Sequence, residues 1–427
     1  MNVNNVKICV IGLGHVCLPL AVELSKYFDT TGFDINQKRI GDLKKYADTT
    51  GEIESGILMN SKLKYTTDQK TIGTSNFIIV AVPTPITKDK KPDLTYLKEA
   101  SQIVGKNVSR GSIIVYESTV YPGVTEEVCR PILEKYSSLK CGVDFKIGYG
   151  PERINLGDKE HTLNKITKVI AGMDEETTEK MNHIYSKVSK NVFEAKDIKT
   201  AEAAKVIENI QRDLNIALMN ELSIIFKKIG IRTKDVIEAS ATKWNFHTYT
   251  PGLVGGHCIG IDPYYLTHKA RELGYEPSII LAGRATNESM AMHVVELLKE
   301  SFGEHRKKLN KSSILVLGLT FKENVKDARN SKAKDLIDLL KNEGAGILAH
   351  DSLLEDNDVE EIFGLKNTQL NDIKKVDAVI VATPHDELRK ISLLNLKKWM
   401  DKPILIDVKS AYDLEEAEKL GFVYKSL

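Results

Sequence analysis

The chain has 427 residues, a length that predicts two or three domains, each able to bury its own core. Lysine and arginine number 60 against 59 aspartates and glutamates, which gives a formal net charge of +1. This balance excludes a global field for attracting nucleic acid or an anionic membrane, and we expect neither as a partner. The five cysteines, without CxxC spacing, argue against a zinc site or a disulfide framework and favour a reducing cytoplasm.

The amino-terminal residues run directly into a predicted strand, with no signal-peptide hydrophobic region before it. No apolar run reaches transmembrane length, so we expect a soluble, cytoplasmic protein.

The first predicted elements are an apolar strand over residues 6–11, the turn Gly12-Leu13-Gly14, and a helix over residues 18–28. Strand, glycine turn and helix together are the context that a dinucleotide fingerprint requires. The glycines let a pyrophosphate approach the backbone, and the helix amino terminus supplies partial positive charge. Cys17 takes the third fingerprint position, where a small side chain is needed for close packing.

The second predicted strand ends in Asp34, about 20 residues past Gly14, the spacing expected for a partner of the ribose hydroxyls. Its carboxylate would repel a 2′-phosphate, which favours NAD over NADP. Arg39 is the opposing signal, although it can equally stack on the adenine.

Three further predicted strands, over residues 76–82, 112–116 and 145–149, are each followed by polar side chains. Because ligands of open α/β sheets lie beyond the carboxyl ends of the strands, Thr84 and Thr119 are expected at the cofactor crevice. Glu152 and Arg153, after the last of these strands, are candidates for handling water and binding an anion. The alternative for both is a surface ion pair of little energetic value.

A long helix is predicted over residues 200–229, with Lys205, Asn209 and Arg212 on one face. Such a face presents two cations and an amide to an anionic ligand, or forms a solvated stripe in which Glu202 and Glu208 pair with Lys205. A helix of this length often bridges subunits, and we expect it to form the spine of a homodimer.

An aromatic loop over residues 241–254 leads to the stretch from Gly255 to Tyr265, which holds Cys258 among three glycines and Asp262 four residues later. Glycines this dense bring a backbone close to a ligand, so the thiol is a candidate nucleophile. The alternative is a tight turn around an inert cysteine.

A boundary near Gly303 and the charged run after it opens a second α/β domain, with predicted strands over residues 314–318, 347–351, 376–382 and 404–407. This part echoes the first domain but lacks its glycine fingerprint. Phe321, Lys322 and Arg329 follow its first strand, where a phosphate or base would bind.

Together these motifs resemble those of the UDP-glucose/GDP-mannose dehydrogenase family, in order and over nearly the whole chain. The motifs that carry the resemblance are Gly12-Leu13-Gly14, Glu117-Ser118-Thr119-Val120-Tyr121-Pro122-Gly123, Pro151-Glu152-Arg153-Ile154-Asn155, Lys205 with Asn209, Gly255-Gly256-His257-Cys258, and Gly318-Leu319-Thr320-Phe321-Lys322. Gly157-Asp158 and Lys243-Trp244-Asn245-Phe246 are similar to those of the UDP-N-acetylhexosamine 6-dehydrogenases.

The resemblance implies an α/β fold with two Rossmann-like doubly wound domains joined by a central helical domain. Residues 1–199 would bind NAD, residues 200–302 would dimerise and carry the cysteine loop, and residues 303–427 would bind the UDP-sugar. The implied reaction is a four-electron oxidation by two NAD, in which Cys258 forms a thiohemiacetal and then a thioester that water hydrolyses.

The resemblance also implies roles for single residues. Lys205 and Asn209 would stabilise the oxyanion and move protons, Asp262 would act as or orient a general base, and Glu152 and Thr119 would position water. The remaining implied contacts are to NAD for Gly12, Gly14, His15, Val16, Asp34, Arg39, Thr84, Thr119 and Arg329, and to the substrate for Arg153, Ile154, Lys205, Asn209, Arg212, Phe321 and Lys322.

Departures from the family pattern, at His15, Cys17, Gly150, Lys326 and Ala328, remove no catalytic group. One alternative is a family member that uses UDP-glucose or GDP-mannose. Another is a catalytically silent sensor of NAD and nucleotide. The epimer of the hexosamine is read by loop geometry, and the sequence leaves it open.

Overall fold

The computed structural model describes residues 5–154, 160 and 163–427. The chain forms two compact units. The first consists of residues 1–208 and 264–275, and the second of residues 209–263 and 276–427.

An eight-stranded sheet organises the first unit, with the strand order β3-β2-β1-β4-β5-β6-β7-β8. Neighbouring strands are parallel except β6 and β7, which are antiparallel. The strands are β1 (Lys7–Ile11), β2 (Asp29–Phe33), β3 (Lys64–Thr66), β4 (Phe77–Val80), β5 (Ile113–Tyr116), β6 (Lys146–Tyr149), β7 (Thr167–Gly172) and β8 (Asn191–Glu194). The helices between them are α1 (Cys17–Leu24), α2 (Gln37–Lys44), α3 (Ser55–Asn60), α4 (Thr95–Asn107), α5 (Arg130–Ser137) and α6 (Glu175–Tyr185).

The central strands of this sheet are apolar on both faces because helices cover both. Every residue of β4 and β5 is buried. Continuous apolar runs of this kind are typical of parallel sheets, whose crossover helices pack above and below. The carboxyl ends of β1, β4, β5 and β6 therefore lie along one edge, which is where the polar residues of the sequence motifs begin.

The second unit combines long helices with a five-stranded parallel sheet of order β10-β9-β11-β12-β13. Its strands are β9 (Ser313–Leu317), β10 (Gly346–His350), β11 (Ala378–Val381), β12 (Ile404–Asp407) and β13 (Val423–Ser426). The helices from the middle of the chain onwards are α7 (Ile198–Ile229), α8 (Thr233–Ala241), α9 (Asp262–Glu272), α10 (Ser278–Glu304), α11 (Lys332–Asn342), α12 (Asp356–Phe363), α13 (Asp386–Arg389), α14 (Leu393–Lys398) and α15 (Leu414–Lys419). The first residues of α7 belong to the first unit, as do most of those of α9.

The predicted fold class is confirmed: two Rossmann-like, mainly parallel sheets are joined along the chain by a helical middle. Element limits differ by a few residues from those expected. Helix α1 ends at Leu24 rather than Phe28, because the Ser25 hydroxyl donates to the Val22 carbonyl and the next amides turn more tightly. The division at residues 199 and 302 stays a prediction. Among the described residues, no helix is long and apolar enough to cross a membrane.

Candidate active site

The glycine turn after β1 has the geometry that a pyrophosphate needs. Gly12 has a φ of +89°, and a Cβ there would lie 2.3 Å from the Ala81 carbonyl oxygen, so only glycine fits. Gly14 is exposed, and a Cβ built on it would meet nothing within 4 Å. The turn thus leaves open space in front of the amino terminus of α1, and the residues present fit a dinucleotide.

Asp34 follows β2 and holds the same turn. Its carboxylate accepts from the Leu13 amide at 2.9 Å and from the Asn36 amide at 2.8 Å, and it stays half-buried. The predicted neighbour Arg39 is buried, donating to the Leu13 carbonyl at 2.9 Å and pairing with Asp48 at 2.7 Å. Its guanidinium supports the glycine turn from behind, and a contact with adenine stays a prediction.

Two residues at the tip of the turn are accessible. His15 lies 3.1 Å from Glu52 through Nδ1, and the Val16 side chain is exposed. Both positions are open to a ligand, as the predicted cofactor contacts require.

Thr84 and Thr119 lie half-buried beyond the ends of β4 and β5. A residue that sequence reasoning missed holds these two loops together. The Ser118 hydroxyl accepts from the Val82 amide at 2.9 Å and donates to the Val82 carbonyl at 2.8 Å. The spacing of parallel strands, which brings neighbouring ends together, was the available signal.

Beyond β6, Glu152 is buried and Arg153 is half-buried. One oxygen of Glu152 accepts from the amides of Arg153 and Ile154, at 2.6 and 2.8 Å. The Arg153 guanidinium forms an ion pair of 2.6 Å with Glu208. This is the ion pair foreseen as the alternative to anion binding. Asn155, Gly157 and Asp158 of the sequence motif lie outside the described residues.

The solvated stripe proposed for α7 is not what the structure has. Glu208 pairs with Arg153, and Glu202 is buried, accepting from the amides of Gly123 and Thr125 at 2.5 and 2.9 Å. Burial raises the pKa of Glu202 to about 7, against the two amide hydrogen bonds. Among the described residues, neither carboxylate pairs with Lys205, which is itself buried on the same helix.

In the second unit, Cys258 is exposed, whereas the other four cysteines are buried or half-buried. The Cys258 carbonyl accepts from the amides of Ile261 and Asp262, at 3.1 and 2.8 Å, which places the thiol on the turn that opens α9. An exposed thiol on a glycine turn satisfies the first requirement for a nucleophile.

The loop before Cys258 is fixed on both sides. Gly256 has a φ of +85°, and a Cβ there would lie 2.6 Å from the Phe321 ring. Farther back, the Asn220 side chain accepts from the Gly252 amide at 2.8 Å and donates to its carbonyl at 3.0 Å. Sequence reasoning missed Asn220, which is buried on α7 two turns beyond Arg212.

Asn209 and Asp262 form a buried pair in this unit. The Asn209 amide donates to an Asp262 carboxylate oxygen at 2.5 Å. Lys205 lies one helical turn before Asn209 on α7. An amide held by a carboxylate has a fixed orientation, which suits a group that must stabilise developing charge.

His257 is tied to the segment after β9. Its Nε2 lies 3.0 Å from Asp327, and the same carboxylate accepts from the Arg329 guanidinium at 2.8 Å. Burial alone would raise the pKa of Asp327, but these hydrogen bonds hold it well below its ordinary range. Arg329 is exposed, and Phe321, Lys322 and Arg212 are half-buried.

Lys409, two residues past β12, is a cation that sequence reasoning missed. A Cβ on Gly252 would lie 2.5 Å from its Nζ, so the lysine packs directly against the loop that leads to the cysteine. Burial lowers the pKa of Lys409. Its position beyond a strand end is the same signal that pointed to Thr84.

Three family models match the chain. Residues 6–189 match the NAD binding domain of the UDP-glucose/GDP-mannose dehydrogenase family, residues 199–289 its central domain, and residues 315–414 its UDP binding domain.

Individual relatives span almost the whole chain. Protein CapL of Staphylococcus aureus is 49% identical over 96% of this chain and 97% of its own length. The UDP-N-acetyl-D-glucosamine 6-dehydrogenase of Pseudomonas aeruginosa is 45% identical over 97% and 99%. The solved UDP-D-ManNAc dehydrogenase of Pyrococcus horikoshii superposes with a TM-score of 0.89 at 29% identity, covering 98% of each chain.

Proposed function

The chain belongs to the UDP-glucose/GDP-mannose dehydrogenase family, and from that premise we propose that it oxidises the C6 alcohol of a UDP-N-acetylhexosamine to the uronic acid. As a member it is an NAD-dependent nucleotide-sugar 6-dehydrogenase. The observation that carries the finer proposal is the exposed Cys258 thiol, presented on a glycine turn in the same unit as the buried Asn209–Asp262 pair.

NAD, when bound, accepts a hydride in each of the two oxidation steps. Gly12 and Gly14 give the pyrophosphate access to the backbone, and Asp34 offers a carboxylate for the ribose hydroxyls. We propose that His15, Val16, Thr84 and Arg329 complete the contacts of the cofactor.

Cys258 adds to the aldehyde formed by the first oxidation, giving a thiohemiacetal whose oxidation leaves a thioester. Lys205 and Asn209 stabilise the oxyanion of the tetrahedral species, and Asp262 fixes the Asn209 amide while serving the proton transfers. Glu152 and Thr119 position the water that releases the uronate.

The nucleotide-sugar is held by cations and an aromatic ring of the second unit. We propose that Lys322 and Arg212 bind the diphosphate and that Phe321 contacts the base, with Ile154 and Arg153 reaching the sugar. For Arg153 this contact requires exchange of its ion pair with Glu208.

UDP-N-acetylglucosamine is the substrate that we rank first. Two relatives named for it are 44% and 45% identical to this chain, whereas relatives named for the manno epimer are 30% to 32% identical. The product, a nucleotide-activated uronate, would serve as a precursor of a surface polysaccharide or other glycan.

We propose a homodimer built on α7. Leu218, Ile225 and Ile229 expose large apolar side chains at a spacing that places them on one side of the helix. The cytoplasm is the compartment proposed, because the Cys258 thiol must stay reduced to act.

The decisive experiment measures NADH release on UDP-GlcNAc, UDP-GalNAc, UDP-ManNAc, UDP-glucose and GDP-mannose side by side. The proposal expects two NADH per sugar with an N-acetylhexosamine and no acid product from Cys258→Ala. Cys141→Ala, which removes a half-buried thiol, is the matched control and should keep full turnover. A wild-type stoichiometry of one NADH would refute the mechanism, and NAD binding without turnover on the whole panel would favour a silent sensor.

A further inference from the structure

Four ionisable side chains meet in the interior of the first unit, behind the end of β6. Glu117 and Lys168 form an ion pair of 2.9 Å, and the Tyr185 hydroxyl donates to the other oxygen of Glu117. Glu152 completes the set, with one oxygen 3.8 Å from the Lys168 ammonium. All four side chains are buried, and the Lys168 ammonium lies 5.0 Å from the centre of the Tyr185 ring.

The cluster holds two carboxylates and a single ammonium. Burying an unpaired carboxylate is costly, so the one cation must serve both acids. Burial alone would lower the pKa of Lys168, but Glu117 and Glu152 raise it, which keeps the lysine charged. The Tyr185 hydroxyl stays protonated, because burial raises its pKa.

The two oxygens of Glu152 have different surroundings. Oε1 accepts from two backbone amides, which fix the carboxyl group in place. Oε2 is buried and has no hydrogen-bond partner among the described residues. The 3.8 Å that separates it from Lys168 is too long for a hydrogen bond but within range of a strong charge attraction. Oε2 is therefore an acceptor held near a cation with its hydrogen-bonding capacity unused.

We infer that Lys168 is a positioning residue for thioester hydrolysis: it places a positive charge 3.8 Å from Glu152 Oε2 and leaves that oxygen available to accept a proton from the attacking water. The inference rests on the proposed function and adds a residue to it. In this step the water oxygen bonds to the thioester carbon, the carbon–sulfur bond breaks, and Cys258 leaves as thiolate. One water proton passes to Glu152 and the other leaves when the uronic acid ionises.

Removing the cation by Lys168→Met should therefore slow hydrolysis without blocking the two oxidations. We expect a burst of two NADH per active site followed by a steady state slower by about tenfold or more, since positioned general bases contribute roughly 10²- to 10⁴-fold. Intact-mass spectrometry after mixing with NAD and UDP-GlcNAc should find the uronyl thioester on Cys258. Lys168→Arg keeps the charge and should show little adduct.

Two companion variants separate positioning from folding. Lys168→Met leaves Glu117 buried without its partner, a change that can itself prevent folding. Glu117→Gln combined with Lys168→Met removes both members of the ion pair, so no Glu117 carboxylate is left without its partner, while Glu152 still lacks a cation. Tyr185→Phe removes the other partner of Glu117 and spares Lys168, so its steady-state rate should stay within about threefold of wild type.

The inference is overturned if the double variant turns over at the wild-type rate with no adduct, or if it loses the NADH burst in proportion to the steady state. Accumulation of the thioester in Tyr185→Phe to the same extent would also overturn it. A wild-type protein that releases no NADH from any sugar of the panel would instead refute the proposed function, so the two failures are distinguishable.

Discussion

Because of the buried carboxylate of Glu202, we expect the protein to lose stability as the pH rises, and we expect the substitution Glu202→Gln to remove this pH dependence. Its carboxylate is buried on α7 and accepts from the amides of Gly123 and Thr125, in the loop that follows Thr119. Burial raises its pKa from 4.5 to about 7. Between these values the folded protein keeps a proton that the unfolded chain releases, so the unfolding free energy falls as the pH rises.

The size of this effect follows from the shift. A displacement of about 2.5 pKa units corresponds to about 3 kcal/mol, fully present below pH 4.5 and lost as the pH passes about 7. Glu202→Gln cannot titrate, so this loss disappears. The glutamine offers one acceptor oxygen for two amides, which should cost about 1–3 kcal/mol at every pH.

The variant should therefore be less stable than wild type at pH 5 and equal to it or more stable at pH 8. Urea unfolding of the full chain followed by far-ultraviolet circular dichroism measures the difference at both values. Glu202→Asp keeps a titrating carboxylate and is the control that should keep a pH-dependent loss. An equal gap between wild type and Glu202→Gln at the two pH values would refute the reasoning.

Three further substitutions test the site. Gly256→Ala forces a Cβ to 2.6 Å from the Phe321 ring at a positive φ, so it should cost about 1–2 kcal/mol of strain. We expect kcat to fall, whereas NAD binding, measured by fluorescence titration, should be unchanged. Ser118→Ala removes two hydrogen bonds between strand ends and should weaken NAD binding by about tenfold in the same titration, at about 1.4 kcal/mol. Asn209→Asp sets a second carboxylate against Asp262, so kcat should fall by at least about tenfold at pH 8. A pH–rate profile should show kcat recovering as the pH is lowered, and a flat profile would contradict the contact between residues 209 and 262.

The parts of the site that the sequence predicted are those in which chemistry follows a strand or sits on a local turn. Gly12 and Asp34 stand at fixed distances from β1, and Cys258 is marked by its glycines, so local spacing was sufficient. The prediction for Asn209 relied in the same way on local spacing, that of a helix. The prediction of each of these residues used only its spacing from a neighbouring element or motif.

The residues that were missed depend on contacts distant in sequence. Glu202 lies 79 positions from Gly123, and Lys168 lies 51 from Glu117. On a helical wheel Glu202 has the appearance of a solvated acid. Lys168 lies in an apolar strand, and no neighbouring residue in the sequence indicates that it has a buried partner. Only the packed structure brings such pairs together, because burial decides whether a charged side chain is solvated at the surface or paired in the interior.

The two Rossmann-like sheets share a glycine turn after their first strand, but the turn is surrounded by different groups in each sheet. Gly12 and Gly318 both have positive φ, and each donates its amide to the carbonyl at the end of the next strand at 2.9 Å. The amide after each glycine is held by an acid, Asp34 in the first sheet and Asp351 in the second, at 2.9 and 2.6 Å. The two carboxylates differ in how much of their surface and hydrogen-bonding capacity remains available to a ligand.

Asp34 is half-buried, so part of its carboxylate can reach a ribose. Asp351 is fully buried and also contacts His385 at 3.0 Å, and the Thr320 amide donates to the same oxygen at 3.2 Å. Its hydrogen-bonding capacity is used inside the fold, and the position of Gly14 has no glycine counterpart after Gly318. The second sheet therefore keeps the turn as a structural device while losing the groups that recognise a dinucleotide. This difference fits the position of the NAD-binding motif at the first sheet, and we propose that a ligand of the second sheet is recognised by other side chains, such as Lys322 and Lys409.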